Sequence, residues 1–151
     1  MLFLKKKKKT SGRRRTLGEK TARELIHVLD KPFSEYIRLK HSDENGYCKC
    51  ITCGNIHFWR EIHNGHYINR DVRITRFDER NCRPQCKSCN SYNSGKIYLY
   101  RQRLVEIYGE EEINKLEFTA SLGGGYCVWS LQQMILEYRE KVRFLKKEKG
   151  L

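Results

Sequence analysis

Four cysteines and two histidines within residues 50–90 hold the chemistry available to this chain. Cys50-Ile51-Thr52-Cys53-Gly54 opens the stretch and Cys86-Lys87-Ser88-Cys89-Asn90 closes it, with 32 residues between the two Cys-x-x-Cys pairs. Two such pairs can close a tetrahedral zinc site. Four thiolates leave no open position on the ion, so a zinc bound by Cys50, Cys53, Cys86 and Cys89 is structural. Gly54 permits the tight turn that aims backbone N–H groups at the sulfurs. Cys48 and Cys82 are near enough in sequence to compete as ligands, but a two-residue spacer suits a knuckle better. Cys127 is left over.

Between the pairs lies Ile62-His63-Asn64-Gly65-His66-Tyr67-Ile68. Hydrolysis of a phosphodiester needs a base for water, a cation for the leaving oxygen and a group that orients the base. His66 is the candidate base, since imidazole titrates near neutral pH. Asn90 directly follows the last thiolate and offers a carbonyl to a divalent ion such as Mg or Mn. Asn81 is placed to orient His66 or its loop. His63 is a second metal ligand or a phosphate contact. Each has a plain structural alternative, because single His and Asn residues are common in packing and turns. His27, His41 and His57 lack this context and read as surface or packing residues.

The elements must hold these side chains in place. Residues 17–29 read as a first helix, which Asp30-Lys31-Pro32 breaks before a second with Phe33, Tyr36 and Ile37 on one face. Asp43-Glu44-Asn45-Gly46 is a turn. Residues 56–59 and 62–68 are short strands, and Pro84 ends regular structure before Cys86. A helix is expected over residues 90–108, with Ile97, Arg101, Leu104 and Tyr108 on one face. A short acidic helix follows over 110–118, facing inward with Ile113 and Leu116. Gly123-Gly124-Gly125 is a linker. Ser130 with Gln133 forms a capping box for the last helix, with Trp129 stapled on Met134. Its stripe of Leu131, Met134, Ile135, Tyr138, Val142 and Leu145 is core or a partner-helix seam, and a homodimer contact there is compatible with the pattern.

The fold class is α+β: a small zinc-stapled core flanked by helices, mostly helical overall. The chain divides into a disordered basic arm (1–16), N-terminal helices (17–46), the zinc core with its following helices (47–118), and a Gly-rich linker with the C-terminal helix (119–151). Its 151 residues are 38% hydrophobic and 32% charged, lean for a large core, which suits a metal staple. Net charge is +13, so a polyanion, first of all DNA, is the expected partner. Residues 1–20 hold nine Lys/Arg against one Glu. Lys5, Lys6, Lys7, Lys8, Lys9, Arg13, Arg14 and Arg15 are candidate phosphate contacts, joined by Arg70, Arg73, Arg76 and Lys96. Seven cysteines without a secretory signal indicate a reduced, cytoplasmic compartment, with no membrane and no small-molecule cofactor.

Cys50-x-x-Cys53-Gly54, His63-x-Gly65-His66-Tyr67, Asn81, Gln85-Cys86-x-x-Cys89-Asn90 and Ser94-Gly95-Lys96 together resemble the lambda NinG (Rap) recombination protein family. Phe33-Ser34-Glu35-Tyr36-Ile37-Arg38, Tyr100-Arg101, Tyr108-Gly109 and Trp129 fit as well, so the resemblance covers residues 30–145. More distantly, the frame is similar to the zinc-bearing HNH, or ββα-metal, nucleases, including the phage endonuclease VII resolvases. The resemblance implies His66 as base, Asn90 on a catalytic metal and Asn81 as the middle Asn. It further implies a metal-dependent, structure-specific endonuclease acting on Holliday junctions and D-loops in the host bacterial cytoplasm. Many HNH enzymes carry an Asp before the catalytic His; here that position is Gly65, and His63, Asp71 or Asp78 must take its place. The rival readings are a non-catalytic zinc DNA-binding module and a general HNH nicking endonuclease.

Overall fold

The computed structural model describes residues 15–92 and 94–151. Lys5 to Lys9, Arg13 and Arg14 of the expected basic arm lie outside the described residues. The described chain is α+β and mostly helical. Its elements are α1 (Ala22–Lys40), β1 (Tyr47–Lys49), β2 (Ile56–Phe58), β3 (His63–His66), β4 (Cys82–Gln85), α2 (Ile97–Tyr108), α3 (Glu110–Leu122) and α4 (Val128–Lys149). Two antiparallel pairs, β1 with β2 and β3 with β4, make up the sheet structure.

The first helix differs from the sequence expectation. Leu17–Glu19 is only a 3-10 turn, and one continuous α1 begins at Ala22, capped by Thr21 and Glu24 in a reciprocal capping box. Pro32 sits inside α1 instead of starting a second helix. A proline there forfeits one intrahelical hydrogen bond and costs about 3 kcal/mol. The apolar face runs on through it, with Leu25, Leu29, Phe33 and Ile37 at 0–1% exposure. Burial of that face against α4 outweighs the local penalty.

α4 supplies the opposing face with Leu131, Ile135, Tyr138 and Val142, all buried. Phe33 meets the Tyr138 ring edge-on at 5.0 Å and Phe77 at 5.3 Å. The α4 stripe is therefore core within the chain. The helix also starts three residues earlier than the capping-box reading placed it. Cys127 is the N-cap, its sulfur accepting from the Ser130 N–H, and Trp129 is 68% exposed.

Pro84 does not end regular structure. It lies within β4, opposite Asn64. Its carbonyl accepts from the Ile51 N–H, so its backbone polar groups face away from β3. At such a position the missing N–H breaks no ladder bond. The helix expected over 90–108 is also interrupted. Ser88–Tyr92 forms a single π-helical turn, and Gly95 (φ 72°) and Lys96 (φ 47°) reverse the chain in left-handed geometry before α2. α2 buries Tyr100 and Leu104, while Ile97 and Ile107 are exposed. Ile113 and Leu116 of α3 face inward as read, though the helix runs on to Leu122. Among the described residues, no helix is long and apolar enough to cross a membrane.

Candidate metal centre and adjoining cleft

The β1–β2 hairpin closes on the first cysteine pair, and β4 leads into the second. Asn55 and Gly54 fold the first knuckle through Cys50 N–H to Asn55 O (2.8 Å) and Gly54 N–H to Cys50 O (2.9 Å). The sulfurs of Cys50, Cys53, Cys86 and Cys89 all lie within 4.8 Å of one another. Cys53 Sγ and Cys86 Sγ are 3.7 Å apart. A tetrahedron with Zn–S near 2.3 Å has an S···S edge of about 3.8 Å. The four thiols fit a structural zinc ion. The Cys86 N–H points at Cys50 Sγ at 3.3 Å, the N–H···S bond of a knuckle. Burial opposes ionisation of Cys50, but the N–H groups of Cys53 and Cys86 and the Thr52 hydroxyl outweigh it and bring its thiol down to about 6. Cys48 and Cys82 are not part of the cluster. Cys48 Sγ donates to Arg38 O, and burial holds the Cys82 thiol well above its ordinary range.

The zinc frame fixes what stands beside it. His63 pairs across the ladder with Gln85, and His66 with Cys82. Asn90 lies inside the π turn and is anchored by its N–H to Cys86 O at 2.9 Å. Its Nδ2 donates to His63 Nδ1 at 3.1 Å. That contact uses the Asn90 amide N–H, leaves Oδ1 as the acceptor of the side chain and makes His63 Nε2–H a donor. Asn90 and His66 line one open cleft of about 530 Å³, together with Asn64, Arg70 and Gly95.

His66 Nε2 is 3.0 Å from the Arg76 carbonyl, which can only accept, so Nε2 carries the proton and Nδ1 is the acceptor nitrogen of the neutral ring. Burial, followed by the charges of Arg70 and Arg76, lowers the His66 pKa against the support of the Arg76 carbonyl. Arg76 itself is 7% exposed. Its guanidinium grips Asp30 of α1 at 2.9 and 2.6 Å and donates to Arg70 O at 2.9 Å. Arg76 is thus a structural residue, not the phosphate contact the sequence suggested. Asp30, read from sequence only as a helix breaker, anchors the carbonyl that orients His66.

Asn81 is fully buried. Its Oδ1 accepts from Ile68 N–H at 2.7 Å, and its Nδ2 donates to Ile68 O and Thr75 O at 3.0 Å each. The whole amide is engaged in stapling the loop between β3 and β4, so Asn81 orients that loop and contacts no cleft. Arg70 is exposed, lines the cleft and touches Asp30 at 3.2 Å. Arg73 is exposed on a separate shallow pocket beside Arg23 and Asp71. Lys96 is exposed at the start of α2, and Arg15 pairs with Glu24.

Gly65 has a tertiary reason. A Cβ there would meet Oε1 and Cβ of fully buried Gln85 at 2.6 and 2.7 Å. Gln85 Nε2 donates to Gly95 O at 2.7 Å, tying β4 to the chain reversal. No acid fits at 65, and neither proposed substitute from the loop reaches the cleft. Asp78 is bound to Arg80 at 2.7 and 3.1 Å, and Asp71 lines the other pocket. Among the described residues, the four cysteines are the only group of three or more His, Cys, Asp or Glu placed to hold a metal. A divalent ion in the cleft would take Asn90 Oδ1 from the chain, with water and substrate phosphate supplying other oxygens. The Oδ1 of Asn64 in the same cleft is buried without a hydrogen-bond partner among the described residues.

Comparison with known proteins places this arrangement. No solved structure matches the chain. The curated protein ninG of Escherichia phage 933W is 32% identical over 95 residues, covering 58% of this chain and 47% of that protein. Protein ninG of Escherichia phage lambda is 26% identical over 131 residues, 80% of this chain and 62% of that protein. Protein ninG of Salmonella phage P22 is 32% identical over 95 residues, 58% of this chain and 46% of that protein. The chain spans about half of the length of the first of these relatives. The family described as Bacteriophage Lambda NinG protein matches residues 4–148, which takes in both cysteine pairs, the cleft and all four α-helices, and the chain belongs to the NinG family.

Proposed function

We propose that the chain is a structure-specific DNA endonuclease acting on branched recombination intermediates, Holliday junctions and D-loops. The observation that carries this reading is the meeting of His66 and Asn90 in one cleft that Arg70 also lines, with His66 held by the Arg76 carbonyl so that Nδ1 is unprotonated. Nδ1 takes the proton from an attacking water. Arg70 and His63 Nε2–H receive the phosphate oxygens. A divalent cation, Mg or Mn, would be held by Asn90 and would stabilise the leaving oxygen as a Lewis acid. The order strand, strand, helical turn around a zinc staple supports an HNH-like core. Symmetric incision of two strands requires two such sites, so the reading carries a homodimer.

A second reading is supported by the missing carboxylate. With Gly65 closed by Gln85, the cleft has no acidic ligand among the described residues, which suits a DNA-binding module without catalysis. Cleavage of a four-way junction beside a matched linear duplex, with Mg or Mn, separates the readings. Junction cutting that His66→Ala abolishes, with zinc content and junction binding retained, supports the endonuclease. Binding without cutting by the wild type under any divalent ion supports the module. Equal cutting of junction and duplex supports a general nicking enzyme.

A further inference from the structure

Tyr98 and Tyr92 are the most exposed large hydrophobic side chains among the described residues, at 78% and 73%. They flank Gly95 and Ile97, which line the cleft with His66 and Asn90. The same helix shows that such a ring can be buried. Tyr100, two residues on, is completely buried and donates its hydroxyl to Gly65 O at 2.9 Å. The left-handed pair Gly95 and Lys96 lies between Tyr92 and Tyr98 in the chain. Lys96 is the one non-glycine residue with positive φ among the described residues. Such strained conformations concentrate at ligand clamps. Positive charge accompanies the rings: the Lys87 ammonium lies 5.9 Å from the Tyr92 centroid, and exposed Lys96 lies between the two tyrosines in sequence.

We propose that Tyr92 and Tyr98 form a stacking surface for DNA bases laid open at a branch point, next to the cleft. This rests on the DNA reading above and names how the branch is recognised. Exposed aromatic faces set among lysines suit nucleic acid, because the rings take base planes and the ammonium groups take phosphates. Within an intact duplex each base plane is covered by its neighbours. Only a branch, flap or end offers a free face, so this surface discriminates by structure and not by sequence.

The test is binding to a four-way junction with 2-aminopurine at the branch, beside a linear duplex with both ends closed by hairpins, without added divalent ion. Wild type should quench or shift the 2-aminopurine signal. Tyr98→Ala and Tyr92→Ala should each weaken junction binding roughly 5- to 100-fold, with closed-duplex binding kept within about twofold. Tyr98→Trp should retain junction binding. Zinc content and circular dichroism confirm folding of each variant. Junction binding unchanged in both alanine variants overturns the proposal, as does equal loss on junction and closed duplex, or a wild type that binds no DNA. The readout needs no cutting, so a wild type that binds and stacks but never cleaves sinks the nuclease reading and leaves the stacking surface standing.

Discussion

At the scale of single residues, the proposed base His66 depends on which of its ring nitrogens is unprotonated. Its half-buried ring has a pKa lowered from 6.5 by desolvation, so the neutral ring persists into mildly acidic solution. Cleavage should rise with pH through a midpoint below 6.5 and then level off, measured as kcat/KM between pH 4.5 and 8; a midpoint above that value would count against His66 as base. Asp30 raises the His66 pKa and holds Arg76. Asp30→Asn should therefore move the acid limb to still lower pH and reduce kcat, with zinc content unchanged. The stranded Arg76 should cost about 1–3 kcal/mol in urea unfolding. Gly65→Asp should not create a metal site. Its Cβ meets Oε1 and Cβ of Gln85, so it should destabilise by about 1–3 kcal/mol, and adding Gln85→Gly, which removes both atoms, should recover part of that loss. The four clustered cysteines, and His66 as the proposed base, were legible from residue type and spacing. Asp30 and Gln85 were not, because a carboxylate 36 residues from His66 and an amide opposite His63 acquire their roles only through contact.

At the scale of elements, the zinc knuckles and the β3–β4 ladder place the cleft, and the α1–α4 pair holds the loop above it. Glu79 joins the two layers. It accepts from Tyr36 and Tyr138, at 3.2 Å each, and from Lys40 at 2.5 Å. Removing zinc should lower the melting temperature and abolish cleavage together, because the metal fixes both Asn90 and the first hairpin. Metal analysis should give one zinc per chain. Cys86→Ser should lose it, whereas Cys48→Ser and Cys82→Ala should keep it. Phe33→Ala should cost about 3–5 kcal/mol, since its ring packs on both Tyr138 and Phe77. A loss below 1 kcal/mol on urea unfolding would contradict the α1–α4 core. Periodicity predicted the apolar faces of α1 and α4 well. It misplaced the break at Pro32 and ran one helix through residues 90–108, because local propensity is weak beside tertiary burial.

At the scale of the whole molecule, the net charge of +13 is the property that bears on the proposed DNA binding. Residues 1–14 hold seven of the 31 Lys/Arg and no acid. Deleting them should flatten the dependence of log Kd on log salt by up to about six, with the junction-to-duplex preference retained. An unchanged slope would remove the arm from the binding surface. The sequence by itself determined the α+β class, the four cysteines of the metal cluster and a strongly positive net charge. These follow from residue chemistry, short spacing and net charge, none of which depends on how distant segments meet. Only the tertiary structure decided the rest. It engaged the Arg76 guanidinium with Asp30, turned Asn81 into a loop staple and closed position 65 with Gln85. It also set His63 against Asn90 and left Tyr92 and Tyr98 in the open. Each of these outcomes depends on which partner reaches a side chain first in the folded chain, and hydrogen bonds and packing act through space without regard to sequence separation.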